Sequence, residues 1–383
     1  MKNIKLFSII LFLFARTITA QIGYDFSGYF YELPVYQKSN SFLGIGNSGG
    51  SDFLNITRLR LKPSLFLWKD ARINLGYEIS TLYFKAPSAM LFSSREKTKR
   101  QYFNLRWAPI SENNFTVVHF IDRLYFRQGF DYGSLEIGRQ RISWGTGRIW
   151  NPTDLFNPIN PANFTKIEKD GADAISFMYY IGAFTDFNLV FNPMETLRES
   201  AFGFRYRTNY SGYDFAAVGG YFDERIVAGL DFAGNIFTAG ARGEGIISFD
   251  KDNFNSNFIK FILGVDYQFN PKIYALLEYH FNGEGVTDKQ KYEMLKLIRG
   301  EIINLNKNYL YAITNYQYHP LLNFSLSHNQ NLNDLSFFTT LSANYSVSEN
   351  IFVNLSYLYF EGAEMTEYWY YPNSVYLKGE YYF

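Results

Sequence analysis

Cysteine is absent from the 383 residues. The chain therefore has no disulfide and no thiolate metal site, which suits an oxidising compartment without requiring one. Charge surplus is absent too, since 36 Lys and Arg balance 36 Asp and Glu. Nucleic-acid binding rests on a large basic surplus, so that class is excluded. Beyond the first twenty residues no apolar run approaches the roughly 18 residues a membrane-crossing helix needs. The four histidines, His119, His280, His319 and His328, form no H-E-x-x-H and no i, i+4 pair, so no metal or cofactor is expected. Ser143 lies outside any G-x-S-x-G elbow, and the run Ala239-Gly240-Ala241-Arg242-Gly243 lacks the Lys-Ser/Thr ending of a phosphate loop. The sequence thus holds no signature of an enzyme.

Aromatic residues are abundant, at 20% with 39 Phe and 32 Tyr, yet mean hydropathy is only −0.18. A bilayer-spanning barrel reconciles the two values, with an apolar outer face, aromatic rings at both interfaces and a polar interior. The first residues point to export. Lys2 and Lys5 precede the apolar stretch Leu6 to Ala15, too short for a permanent anchor, and Ala20 can precede the cut. Residues 1–20 are expected to be a signal peptide and 21–383 one barrel domain. With no cysteine after the apolar stretch, a lipid-anchored form is excluded.

The mature chain alternates with period 2 in segments of about ten residues, the length of a tilted membrane strand. From Ile259 to Phe269 the odd positions are apolar or aromatic, while Lys260, Gly264, Asp266 and Gln268 fall between them. Asn270-Pro271 then marks a turn, and Ile273 to Phe281 repeats the pattern. The expectation is an all-β transmembrane antiparallel barrel of about eighteen strands, with sixteen the nearest alternative. Short connections at Lys69-Asp70, Asp131-Tyr132-Gly133, Tyr210-Ser211-Gly212, Ala233-Gly234-Asn235, Asn270-Pro271 and Ser346-Val347-Ser348 fall at every second position. That parity matches short periplasmic turns opposite long outer loops. The final segment places Val375, Leu377, Gly379, Tyr381 and Phe383 on one face. It looks like the C-terminal strand of outer-membrane barrels, which implies that Tyr381 and Phe383 form a signal for the barrel-assembly machinery.

With apolar positions facing lipid, their neighbours line the lumen. This places Arg58, Arg60, Lys62, Arg123, Arg127, Arg205, Arg207, Arg242, Glu244, Asp266 and Glu278 inside, since a lipid-facing arginine at the midplane costs about 2–4 kcal/mol. Arg242 is expected to pair with Glu244. Two readings of these charges stand side by side. In one, Arg58, Arg60, Arg123 and Arg127 form a basic ladder that selects solutes by charge. In the other, salt bridges only brace the wall.

The most distinctive stretch runs from Gly138 to Arg148 and on through Asn151-Pro152-Thr153-Asp154. Alternation set by Leu135 and Ile137 aims Arg139 and Arg141 at lipid unless a bulge near Gly138 re-aims them. The loop 144–171, stiffened by Pro152, Pro158 and Pro161, is expected either to fold into the barrel and narrow it or to lie as a rigid lid over the mouth. Trp144, Arg148, Asn151, Pro152 and Asp154 are its constriction candidates. The residues Gly138, Arg139, Gln140, Trp144 and Gly145, followed by Asn151, Pro152 and Asp154, resemble a strand end and loop of porin-like outer-membrane families. The likeness covers about a tenth of the chain and implies a porin-like protein of the outer membrane of a diderm bacterium, without a substrate. In the outer loop 284–306, Leu295, Ile298, Ile302 and Leu305 have helical spacing among Lys289, Lys291, Lys296 and Arg299, so a short helix is expected over 288–305.

The leading expectation is a porin-like channel for passive or weakly selective passage of small solutes, anions among them, set in outer-membrane lipid. A non-conducting barrel that binds or assembles surface polysaccharide is the alternative, and an outer-membrane lipid hydrolase the second. Homo-oligomers are compatible with the sequence, although no lipid-facing strand reads as depleted in bulk.

Overall fold

The computed structural model describes residues 22–38, 51–85, 99–157, 168–298 and 302–383. The segment 1–20 therefore lies outside the described residues, as do Pro158, Pro161 and Arg299. The first strands are β1 (Gly23–Lys38), β2 (Ser51–Trp68), β3 (Ala71–Phe84), β4 (Arg106–Ser111), β5 (Phe115–Phe130), β6 (Gly133–Gln140) and β7 (Ala172–Tyr180). They are followed by β8 (Asp186–Asn192), β9 (Ala201–Tyr210), β10 (Tyr213–Phe222), β11 (Arg225–Ile236), β12 (Ala239–Asp250) and β13 (Asn257–Asn270). The last are β14 (Ile273–Asn282), β15 (Asn308–His319), β16 (Leu322–Asn331), β17 (Phe337–Ser346), β18 (Ile351–Glu361) and β19 (Ser374–Tyr382).

Each strand except β4 pairs antiparallel with its neighbours, and β19 returns to pair with β1, so eighteen strands close one barrel. Closure leaves no open edge for backbone groups to face hydrocarbon, the condition for crossing a membrane with strands. At the seam Phe383 and Gly28 exchange backbone hydrogen bonds of 2.8 and 3.1 Å. The exposed register is apolar around the wall, with Leu65, Leu124, Phe202, Tyr206, Leu263, Leu277, Leu341 and Leu355 among the exposed residues. Polar and charged side chains occupy much of the opposite register, interrupted by buried apolar patches. This is a transmembrane β-barrel turned outward to lipid.

Three local expectations need correction. The turn placed at Ala233-Gly234-Asn235 lies at Phe237-Thr238, because β11 and β12 stay paired as far as Ile236 and Ala239. Gly234 reads as a turn residue in the sequence. Instead it sits in mid-strand beside the Tyr213 ring, where a Cβ would approach to 2.2 Å. Of the helix expected over 288–305, the described residues hold α1 (Met294–Ile298) and a single turn at Lys289–Lys291. The outward face of β12 is also depleted in bulk, with Ala241, Gly243 and Gly245 flanked by Phe232 and Phe261 across the strand pairs. An apolar groove of about 510 Å³ runs over them.

Strand β4 has no counterpart in the sequence reading, because Pro109 argues against a strand there. Its place follows from β6, which pairs with β5 only as far as Arg139 opposite Leu124. Beyond that point β5 pairs with β4 instead, from Arg106 opposite Phe120 to Ser111 opposite Thr116. The preceding residues continue the splice, as the Asp173 amide donates to the Arg100 carbonyl at 2.9 Å. A segment of the second outer connection thus fills the wall that β6 vacates.

Candidate functional site

Residues 141–157 pack against side chains on the inward register of the wall. In residues 141–144 burial alternates, with Arg141 and Ser143 exposed and Ile142 and Trp144 buried. The buried side meets an apolar patch made by Ala172, Ala174, Val190, Ala201, Val218, Val227 and Ile246. These residues occupy the inward register of β7 to β12, where a water-filled barrel would carry polar groups. The Trp144 indole donates to Asn188 Oδ1 at 3.1 Å, and its ring lies where a Cβ on Gly203 would come within 2.7 Å. Phe156, on the return leg, packs edge-on against Trp144 and Phe222.

Two buried carboxylates hold the far part of this segment. Glu278, fully buried on β14, accepts the amides of Arg148, Ile149 and Trp150 at 2.9, 3.2 and 2.9 Å. Three successive N–H groups converging on one anion form a backbone nest. Glu244, on β12, accepts the Thr146 amide at 2.7 Å and the Thr153 hydroxyl at 3.0 Å. Gly145 has φ +89°, and a Cβ there would stand 2.4 Å from Glu244 Oε2, so only glycine fits. Trp150 fills a box of His280, Tyr309 and Tyr311, its ring 5.0 Å from the His280 ring.

The Asn151-Pro152-Thr153-Asp154 run makes the reversal at the tip. Asn151 Nδ2 donates to the Gly147 carbonyl at 2.8 Å, and Asp154 accepts from the Asn157 amide at 3.2 Å and from Lys169 at 2.5 Å. Among the constriction candidates, Trp144, Pro152 and Asp154 are buried and Asn151 is half-buried. Arg148 is exposed, as is Arg141. Neither has an ion pair among the described residues.

Arg139 does not point into lipid. Gly138 takes φ +122°, and Arg139, 2% exposed, forms a two-pronged ion pair with Asp173 at 2.7 and 2.9 Å. Its remaining donors reach the carbonyls of Ile121 and Phe103 at 3.0 and 2.5 Å. The guanidinium closes the junction where β6 leaves the sheet. Asp122 and Asp173 are the residues that sequence reasoning missed. A register shift between Gly76 and Tyr77 puts Asp122 beside Arg123 in place of strict alternation.

The expected ladder takes a different form. Arg58 pairs with Glu78 at 2.9 Å, and Arg60 reaches Glu78, Asp122 and Glu168 at 3.4, 2.5 and 3.2 Å. Lys62 pairs with Glu168 at 2.5 Å, Arg123 with Asp122 at 2.6 Å, and Arg127 with Glu136 at 3.4 Å. Arg58 and Arg60 are buried. Arg207 pairs with Asp186 at 2.5 Å. Arg242 pairs with Asp266, not with Glu244, because Glu244 is taken by the incoming segment. Arg205 lies near Asp231 and Arg207. By contrast, the inward register of β15 to β18 carries no charge and is built from Asn315, Ser325, Ser327, Asn329, Thr340, Ser342, Asn354 and Ser356 among others.

At the outer end, two connections turn inward. Glu367, in the single turn Glu367–Tyr370, is 1% exposed. It accepts from the Tyr309 hydroxyl at 2.5 Å, Asn331 Nδ2 at 2.9 Å and the Leu305 amide at 3.3 Å. Burial, with Asp334 adding to it, pushes its carboxyl up to about 7.

The fold is shared with solved β-barrel structures. The structure of OccD3 (OpdP) from Pseudomonas aeruginosa superposes with a TM-score of 0.57 at 8% identity, over 96% of this chain and 94% of that one. OccAB1 from Acinetobacter baumannii gives 0.56 at 9% identity, over 96% and 98%. The outer membrane protein opdK from Pseudomonas aeruginosa gives 0.54 at 9% identity, over 94% and 98%. These likenesses define the class as a porin-type β-barrel fold. No family model matches the sequence, and no curated protein matches it either.

Proposed function

We propose that the chain is an outer-membrane channel, narrowed by residues 141–157, that passes small solutes and favours anions. The observation that carries this reading is the sorting of charge by the inward-running segment. Its exposed side bears Arg141 and Arg148 without ion-pair partners among the described residues, while Glu244 and Glu278 lie buried behind it. In a narrow, low-dielectric passage such unpaired cations weight the field toward anions. The paired residues Arg58, Arg60 and Arg123 brace the wall in this reading. The outward apolar band suits a diderm outer membrane, and the exposed rings of Tyr381 and Phe383 beside the β1–β19 seam suit recognition by barrel-assembly machinery.

The test is single-channel recording of the purified barrel in a planar bilayer under a salt gradient. The expected result is steady conductance with anion preference, reduced in Arg141→Gln/Arg148→Gln. A silent bilayer from a barrel that migrates as folded refutes the channel and favours the polysaccharide-binding barrel. Cation preference, or a preference that survives the double substitution, refutes the charge-sorting argument.

A further inference from the structure

We infer that Glu244 and Glu278 are positioning residues that set the width of the lumen by holding residues 145–153 against the wall, with Gly203 fixing how closely the segment can lie. The inference rests on the channel reading and adds what determines its size limit. The wall contributes two anchors, one on β12 and one on β14. Between them they take four backbone amides and the Thr153 hydroxyl. The segment has no strand pairing of its own to the wall over this span, since β6 ends at Gln140 and β7 begins at Ala172. The same amides need partners wherever the segment lies, and among the described residues no other carboxylate accepts from them. Hydrogen bonds to a buried anion are among the stronger ones available to a loop.

The apolar contacts determine distance, not attachment. Trp144 and Phe156 press into the apolar patch, and Trp144 and Phe222 lie directly over Gly203. A Cβ there would meet Trp144 Cη2 at 2.7 Å and Phe222 Cζ at 2.8 Å. Any side chain at 203 must push Trp144, and the segment that carries it, toward the lumen. Removing the carboxylates and filling Gly203 therefore have opposite consequences. The first frees the segment, and the second crowds the passage.

The test combines amide exchange, read by mass spectrometry on the folded full-length barrel, with conductance and the exclusion limit for neutral oligosaccharides in liposome swelling. In Glu244→Ala/Glu278→Ala, exchange at residues 146–150 is expected to accelerate by about tenfold or more, from the loss of charge-assisted bonds. The exclusion limit should rise in parallel. Glu278→Gln keeps one acceptor oxygen and should fall between parent and Glu278→Ala. Gly203→Ala should lower conductance without faster exchange, and serves where a larger residue prevents folding. Unchanged exchange in the folded double variant overturns the anchoring. Faster exchange with conductance and exclusion limit unchanged overturns the claim about width. If the parent barrel is silent, the channel reading fails and the width claim with it, while exchange still reports whether the carboxylates hold the segment.

Discussion

Replacing Arg139 with methionine should cost about 3–5 kcal/mol, the range for removing one partner of a buried ion pair. Methionine keeps much of the side-chain length, so cavity formation contributes little. What remains is electrostatic. Asp173, 5% exposed, loses both prongs of the guanidinium and keeps the Phe103 amide at 2.9 Å. The Ile121 and Phe103 carbonyls lose the donors that replace the absent β6 ladder. The effect should appear as a shift in the urea midpoint for refolding into lipid vesicles, followed by heat-modifiable gel migration. Asp173→Asn should recover part of the loss in the Arg139→Met background, with a coupling of about 2 kcal/mol, inside the range for contacting residues. Arg207→Ala is the comparison. Its side chain is 48% exposed beside Asp186, so solvent screening should hold the cost near or below about 1 kcal/mol. A loss below about 1 kcal/mol for Arg139→Met, or strict additivity with Asp173→Asn, would refute the account of the junction.

Glu367 should make the outer connections sensitive to pH. Its carboxyl lies at about 7, above the ordinary 4.5, so the folded state holds the proton more tightly. Its contribution is complete below about 4.5 and is lost as pH rises through about 7. Protease nicking of the 302–306 and 366–371 segments should increase over that window, and Glu367→Gln should abolish the dependence. Trp144→Ala should destabilise the barrel by about 3–5 kcal/mol in the same refolding assay, because its apolar patch on β7 to β12 would be left open. Phe383→Ala removes the ring stacked on Phe26 at 5.9 Å. It should slow vesicle insertion while leaving most of the wall pairing intact, and an unchanged insertion rate would count against a role for the terminal residue.

The wall was legible in the sequence because its physics is local. A strand buried in lipid on one side and facing polar surroundings on the other must alternate, and Ile259–Phe281 does so residue by residue. Arg205 and Arg207 read as inward because Phe202, Phe204 and Tyr206 alternate with them on one strand. Legibility failed where alternation did. Asp122 escapes it through a register shift, β4 hides behind Pro109, and Phe237 turns without a turn residue.

The sequence by itself determined a closed, outward-apolar barrel with polar side chains inside, because hydrocarbon penalises every residue that breaks the pattern. The tertiary structure alone decided which charges are paired and which face open space. Arg58 and Arg148 look alike in sequence, yet one meets Glu78 at 2.9 Å and the other lies exposed on a segment whose backbone Glu278 holds. Glu278 is 128 residues from Trp150 along the chain. No period or propensity encodes a contact of that separation, because it arises only when closing the barrel brings β14 opposite the segment that follows β6.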